Sequence, residues 1–584
     1  MEDNYSVQDF QKDEKGAIVL MTEEKRATVV AVSDGSSVEG SLEIFENKEA
    51  QLAKNELEEA IAEEKFKICT TNDWLRPSFR KINLFGPLRL SSKKSRGFLI
   101  NCGAHSAAQF QNRTWLPDSA FISSGTPLNV TTPVLFPTLH TLRSFPRRVN
   151  KHCYNIPVYR GAQYLVRTTY FYGGVNGADH PSPPVFDQIL DGTLWSVVNT
   201  TRDYADGNSS FYEGVFLAQG KIMSLCIGSN TYTDSDPFIS ALEFVILEGS
   251  LYNSTDFTRY GLALIARHGF GYSGPPIRYP DDQFDRVWEP FGQSNSTKAS
   301  TDNVSVSGFW NLPPAKIFET HIGSDQLETL ELRWPTASLP SSNSKYYYIA
   351  LYFADDTAGS RIFNISVNGI TYYHNLNVIP SGVVVFASQW PLSGPTTITL
   401  TPAASSSLGP SINAGEVFDV LPLGGRTLTR DVIALQKVKE SLRNPPLDWN
   451  GDPCMPRQYS WTGITCSEGP RIRVVTLNLT SKDLSGSLSP FVANMTALTN
   501  IWLGNNSLSG QIPDLSSLKI LETLHLEDNQ FSGEIPSSLG DISSLEKVFL
   551  QNNNLTGQIP AILVGKPGLN IITSGNNFLS PPAP

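Results

Sequence analysis

The densest group of reactive side chains is a run of acids, Asp281, Asp282 and Asp285, within Arg278-Tyr279-Pro280-Asp281-Asp282-Gln283-Phe284-Asp285-Arg286-Val287-Trp288. Paired carboxylates can hydrolyse a glycosidic bond or hold calcium. A D-D-x-x-D run is not the spacing of an EF-hand loop, and adjacent acids on a proline-led turn are expected to cap backbone or sit in solvent. The eight histidines (105, 140, 152, 180, 268, 321, 374 and 525) are scattered, with no H-E-x-x-H and no pairing with cysteine at ligand spacing. There is no G-x-S-x-G nucleophile elbow, and neither Gly269-Phe270-Gly271 nor Gly424-Gly425 has the G-x-G-x-x-G form. The chain is therefore expected to recognise rather than to react, with no catalytic residue, metal or cofactor. For a saccharide, recognition needs aromatic faces beside acids or amides. Tyr170, Phe171 and Tyr172 next to Gly173-Gly174, with Asp191 further on, offer that combination, as do Tyr347 or Tyr352 with Asp355 and Asp356. Aromatics alternating along strands also serve as core, and no sequence spacing separates the two uses.

The elements that would position such residues are clearest near the carboxyl end. Leu477-Asn478-Leu479 with Leu484-Ser485-Gly486, Trp502-Leu503 with Leu508-Ser509-Gly510, Leu524-His525-Leu526 with Phe531-Ser532-Gly533, and Phe549-Leu550 with Leu555-Thr556-Gly557 line up as four segments. Gly486, Gly510, Gly533 and Gly557 thus recur at a near-constant step. A fixed step in the twenties with L-x-L-x-x-N-x-L marks a leucine-rich-repeat solenoid. Each turn supplies one short strand, the leucines stack inward and the asparagine bonds backbone along the bend. The strand face then exposes Asn478, Trp502, His525, Glu527, Phe549 and Gln551. Trp502, His525 and Phe549 are the candidate protein contacts, since large aromatics concentrate binding energy. The alternative is that an aromatic replaces a core leucine.

Residues 98–425 carry alternating or aromatic runs (Tyr164–Tyr172, Lys345–Ala354, Ile362–Val367, Thr396–Thr401) with turn signals such as Asn176-Gly177 and Asn368-Gly369 between them. That pattern predicts mainly β structure, two β-sandwiches in tandem that meet near residues 265–300. From Thr429, a possible N-cap, Val432, Leu435, Val438 and Leu442 fall three or four apart and predict a helix that Asn444-Pro445-Pro446 stops. The domains read as a charged extension over 1–96, partly helical or disordered, a sandwich pair over 97–425, a helix and cysteine-containing cap over 426–470, and repeats over 471–580. In the extension, Gln51–Phe66 reads as a charged helix and Arg76–Arg96 as a basic, solvated linker.

The chain has 584 residues, is 40% hydrophobic and has a formal net charge of −11, which argues against nucleic acid as a partner. Six cysteines never form C-x-x-C, so a zinc site is not expected. Cys454 and Cys466 bracket the segment before the repeats, where a disulfide would cap the first turn. Cys153 and Cys226 are the preferred second pair, leaving Cys102, with Cys69 as its alternative partner. N-x-[ST] acceptor sites stand at Asn112, Asn129, Asn199, Asn208, Asn253, Asn295, Asn303, Asn364, Asn478, Asn494, Asn505 and Asn554. Cysteines and sequons together favour the secretory route. The charged amino terminus shows no readable signal peptide, and no run of 18 apolar residues predicts a membrane span.

Phe98-Leu99-Ile100-Asn101-Cys102-Gly103, Asp187 with Leu190-Asp191-Gly192 and Trp195, Ser240-Ala241-Leu242-Glu243, the run Arg278–Trp288, Asp431-Val432 and Trp449-Asn450-Gly451-Asp452-Pro453-Cys454 with Trp461, Gly463-Ile464 and Cys466 resemble, in unbroken order, the malectin-like leucine-rich-repeat receptor kinases of plants. The resemblance covers about residues 97–580. It implies an ectodomain at the cell surface that binds a carbohydrate or peptide ligand and a leucine-rich-repeat co-receptor. A membrane span and kinase normally follow in the family; this sequence has no Gly-rich phosphate loop, H-R-D or D-F-G. An accessory module of a carbohydrate-active enzyme and a cytosolic scaffold are the alternatives.

Overall fold

The computed structural model describes residues 97–581, apart from 133–135, 248, 250, 293–296, 300–303, 305, 307–308, 325, 337–338 and 340–344. Before residue 97 it describes only three short backbone strands, Phe10–Lys12, Ile18–Thr22 and Lys25–Val29, paired antiparallel within a unit spanning Met1–Lys94. The expected helix Gln51–Phe66, the basic stretch Arg76–Arg96 and Cys69 lie outside the described residues. The second unit, Ser95–Pro584, holds the sandwiches and the repeats.

Two sandwiches stand in tandem and share one front sheet. Its path runs Val383–Pro391, Tyr346–Phe353, Ala414–Pro422, Tyr260–Phe270, Ser210–Leu217, Gln163–Tyr170, Ala241–Ile246, Gly97–Asn101 and on to the amino-terminal edge strands. Thr193–Val198, Phe186–Leu190, Ile222–Gly228 and Lys151–Pro157 back the first sandwich. Leu330–Arg333, Thr397–Pro402, Arg361–Val367 and Ile370–Val378 back the second. The sandwiches meet at the strand Tyr260–Phe270, which overlaps the start of the expected span 265–300. It pairs along its length with Ala414–Pro422 but touches Ser210–Leu217 only at Gly214↔Ala263 and Val215↔Leu262.

The sheet is buried on both faces, which explains the long aromatic runs. Tyr164, Val166 and Phe216 face the first sandwich core, and Ile349, Leu351 and Phe353 face the second. On the opposite face Leu165, Val215, Tyr348 and Phe418 pack under the connecting segment, which contributes Leu251, Tyr252, Phe257, Ile277, Phe284, Trp288 and Ile317. A strand covered on both sides loses polar alternation.

The helix spans Thr429–Ser441, and its N-cap is Leu428, so the expected cap at Thr429 is corrected by one residue; no side chain caps it. Asp431 in its first turn is fully buried and accepts from Arg473 Nε at 2.8 Å and from Val474 N at 3.0 Å, which ties the helix to the first repeat. The Ile464–Cys466 strand joins the first repeat strand antiparallel. Val474–Asn478, Asn500–Trp502, Thr523–His525, Lys547–Phe549 and Asn570–Ile572 then stack in parallel. The repeat glycines 486, 510, 533 and 557 all adopt positive φ, between 77° and 106°, where a side chain is strained. The asparagines do what their spacing predicts. Asn529 Nδ2 donates to the Leu503, Leu526 and Glu527 carbonyls, and its Oδ1 accepts from Leu508 N.

Candidate functional site

The concave repeat face is built from the strands upward. Ile501, Leu503, Leu524, Leu526, Val548 and Leu550 occupy the core at 0–2% exposure, so the intervening Trp502, His525 and Phe549 point outward. The alternative of aromatics standing in for core leucines is thereby removed. Parallel register places Asn478, Trp502, His525, Phe549 and Ile572 in one row across five strands. Ring centroids lie 6.0 Å apart for Trp502–His525 and 4.5 Å for His525–Phe549. A polar row beside it fixes the indole: Trp502 Nε1 donates to Thr523 Oγ1 at 2.6 Å, and Thr523 Oγ1 donates to Asn500 Oδ1 at 2.7 Å. On the other flank Glu527 Oε1 lies 3.5 Å from His525 Nδ1. Sequence reasoning missed Ile572, which is 37% exposed and extends the row by one strand. Its signal was one further repeat step beyond Phe549.

The expected sugar-facing side chains are not at the surface, which corrects that expectation. Tyr170, Tyr172 and Tyr352 are 0% exposed. Their hydroxyls donate to Gln188 Oε1, the His180 carbonyl and Glu416 Oε1. Asp355 is buried against Arg361 and accepts from Thr357. Half-buried Asp191 accepts from Ser224 N at 2.8 Å and pairs with Arg426. In these strands the aromatics are core and the acids brace loops.

The acidic run meets its expectation in part, since Asp282 Oδ1 accepts from Phe284 N and Asp285 Oδ1 from Tyr279 N across the turn. Asp281 pairs with Lys316 at the surface, but Asp282 and Asp285 are buried. Asp282 Oδ2 accepts from Arg286 Nε and Trp288 Nε1, both at 2.9 Å. Asp285 accepts from Arg278 at 2.9 Å and pairs with Arg113. Both belong to a larger network that the sequence did not announce. Glu243, Arg167, Glu213, Arg267 and Glu416 sit on five neighbouring strands, are at most 2% exposed, and alternate in sign across the shared sheet. Successive contacts measure 3.1, 2.6, 2.6 and 2.7 Å. Burial opposes ionisation of Glu416, yet the Arg267 and Arg286 guanidiniums outweigh it and hold its carboxyl below the ordinary value. Asp285 is likewise held low, burial being outweighed by Arg167, Arg278 and Arg113. The hydrogen bonding of this network is internal to the fold, so it positions the two sandwiches and is not a reactive pair.

The repeat cap docks on the outer face of the first sandwich. Cys153–Cys226 and Cys454–Cys466 are disulfides, and Cys102 is buried and unbonded. Tyr459 packs on Cys153 and Cys226 and donates to Asp187 Oδ2 at 2.7 Å. A Cβ at Gly451 would lie 2.6 Å from Cys153 Sγ. Lys151, 1% exposed, donates to the Asp452 carbonyl at 2.6 Å. Burial pulls its pKa down to about 8, against the pull of Asp452 and Asp448. The folded value lies below the unfolded one, so the folded chain holds fewer protons between them. The cost is full below about pH 8, and stability contributed by this group rises from there toward pH 10.5. Expected result: over that window the melting temperature of the native chain climbs relative to Lys151→Met, whereas parallel curves would refute the linkage.

Of the sequons, Asn112, Asn129, Asn199, Asn208, Asn253, Asn494, Asn505 and Asn554 are exposed, Asn364 and Asn478 half-buried, and Asn295 and Asn303 outside the described residues. Among the described residues, no helix is long and apolar enough to cross a membrane, and no cluster of three His, Cys, Asp or Glu could hold a metal.

The malectin-like domain family matches residues 100–420, the leucine-rich-repeat N-terminal domain family 428–467 and the leucine-rich-repeat family 521–542. A leucine-rich repeat receptor-like serine/threonine-protein kinase of Arabidopsis thaliana is 31% identical over 433 residues, 70% of this chain and 48% of that protein. A probable receptor-like kinase of the same kind and organism is 30% identical over 448 residues, 72% and 46% respectively. The chain thus spans about half the length of the curated relatives it matches. The crystal structure of the ANX2 ectodomain from Arabidopsis thaliana superposes with a TM-score of 0.47 at 15% identity, covering 55% of this chain and 96% of that one. By its domain matches and these relatives, the chain belongs to the malectin-like leucine-rich-repeat receptor kinase family.

Proposed function

We propose that this chain is the ligand-recognition part of a receptor of that family, on the outer side of the plasma membrane, with the concave repeat face as its binding surface for a peptide or protein and no reactive centre of its own. The row Trp502–His525–Phe549–Ile572 carries the reading. Four large apolar or aromatic side chains stand in register on a parallel sheet, partly exposed, with the Trp502 indole braced from the side by Thr523 and Asn500. Rigid aromatics on a fixed frame lose little entropy on binding. The sandwich tyrosines that would have served a sugar are enclosed, which leaves the repeat face as the surface best built for contact. A glycan on Asn478 would stand at the amino-terminal end of the row and confine a ligand to the strands from Trp502 onward. A leucine-rich-repeat co-receptor is the second partner this reading includes, by kinship with the receptor kinases above.

The test screens the full chain against a phage-displayed library of random dodecapeptides and, in parallel, a glycan array. Expected result: peptides are captured, and Trp502→Ala with Phe549→Ala lowers capture affinity at least about 30-fold, each anchor contributing about 1 kcal/mol or more. The double variant should melt like the parent, since both side chains lie outside the core. Capture of glycans alone, or of peptides indifferent to the two substitutions, would refute the reading.

A further inference from the structure

The row of aromatics has a chemically distinct flank, and that flank indicates what the ligand carries. Two residues past Trp502, His525 and Phe549, just beyond the strand ends, stand Gly504, Glu527 and Gln551. Glu527 Oε2 and Gln551 Oε1 are enclosed, and neither has a hydrogen-bond partner among the described residues. Enclosed acceptors are rare in folded proteins because their lost hydration goes uncompensated. Here two occur just past the ends of adjacent strands, beside one exposed face. Gly504 makes the arrangement fit, because a Cβ there would lie 2.5 Å from Glu527 Oε1. The Glu527 side chain remains 18% exposed, so rotating the carboxylate presents its unmet oxygen outward.

The surrounding charge has the same sign. Residues 500–580 contain seven acids (Asp514, Glu522, Glu527, Asp528, Glu534, Asp541 and Glu546) against Lys519, Lys547 and Lys566, and no arginine. Among the described residues, no guanidinium or ammonium of this chain is paired with Glu527. An ionised acceptor and an amide oxygen beside an aromatic row match a donor-rich cation next to an apolar side chain. A guanidinium satisfies both parts, since it donates in a fork to oxygens and stacks on ring faces.

We propose that the occupant of the concave face is a peptide segment with arginine or lysine within two residues of an aromatic or aliphatic residue, its cation held by Glu527 and Gln551 and its apolar partner seated on Phe549 and Ile572. This rests on the peptide reading of the same face given above. Complementary charge also sets the rate of encounter, so association should slow as salt is raised.

The test uses the full chain and fluorescein-labelled decapeptides of Gly and Ser that carry Arg-Gly-Phe at their centre, with Lys, Gln or Glu replacing the Arg. Expected result: the Arg and Lys peptides bind at least about 10-fold more tightly than the Gln peptide, the Glu peptide binds weakest, and Glu527→Gln brings the Arg/Gln ratio below about twofold. Equal binding of Arg, Gln and Glu peptides that is still abolished by Trp502→Ala with Phe549→Ala would overturn the cation assignment and leave the face reading standing. Binding indifferent to that double variant, or no binding by any peptide in the set, would overturn both.

Discussion

Arg267→Met is expected to destabilise the folded chain by about 3–5 kcal/mol, the range for removing one partner of a buried ion pair. Arg267 bridges Glu213 and Glu416 at 2.6 and 2.7 Å with no exposure, and its guanidinium lies over the Trp288 and Phe418 rings at 5.6 and 5.4 Å. Methionine fills much of the space and cancels neither charge. Glu213 keeps Arg167, whereas Glu416 keeps only the more distant Arg286 and two tyrosine hydroxyls. The sign of the pH response is set by these partners. In the native chain Glu416 and Asp285 titrate below their unfolded values, so the stability they contribute is complete above about pH 4–5 and is lost as pH falls through the folded values. In the variant, burial without its closest cation raises the Glu416 pKa, and protonation relieves the cost. The deficit should therefore shrink below about pH 5 in urea melts run from pH 7 to pH 4. A loss under about 1 kcal/mol at pH 7 would mean that water, not Arg267, neutralises the row.

The second large effect is expected in the repeats. Asn529→Ala removes three donations and one acceptance within a site only 9% exposed. The Leu503, Leu526 and Glu527 carbonyls keep one donor each, Asn506 Nδ2, Asn553 Nδ2 and Asn505 N, whereas the Leu508 amide loses its side-chain acceptor. A buried amide stripped of its acceptor costs about 1–3 kcal/mol, and each lost donation to a carbonyl that keeps another donor about 0.5 kcal/mol, for an expected total of about 2–4 kcal/mol. Because each repeat is stabilised by its neighbours, the loss is felt along the stack. Denaturant unfolding followed by the emission lost on Trp502→Phe, taken as the difference between chains with and without that indole, reports it, since Trp502 stands on the adjoining strand. An unshifted Trp502 transition would show that the asparagine ladder is dispensable.

The repeats were the most legible part of the sequence, for a physical reason. Each turn repeats the same inward leucines, the same asparagine and the same glycine, so one periodicity specifies core, bend and outer face together. The aromatic row came with it, because Trp502, His525 and Phe549 stand beside leucines and not in place of them. Ile572 was missed because the last turn trades the leucine signature for Asn570-Ile571-Ile572. In the sandwiches, the strands were legible and their shared sheet was not. Tyr164–Tyr172 and Lys345–Ala354 are covered on both faces, so their tyrosines looked like binding platforms when they are core. Lone charges inside apolar runs, Arg167 among them, were the visible trace of the alternating row. Its sign order depends on which strands are neighbours, and strand order between segments as far apart as those of Arg167 and Glu416 is not written in any local pattern. The burial of Asp282 and Asp285 was not legible for the same reason, since Arg113 and Arg167, which face Asp285, come from far upstream.

The seating of the cap on the first sandwich has a mechanical consequence. Tyr459 on Asp187, Lys151 on the Asp452 carbonyl and Asn450 on the Lys151 carbonyl hold the two bodies directly, with a close-fitting glycine against the disulfide where a swivel would otherwise be. With no slack tether between them, a pull delivered at one end reaches the other as torque. Substitutions in this short loop should re-aim the molecule's reach while leaving the strength of its grip unchanged.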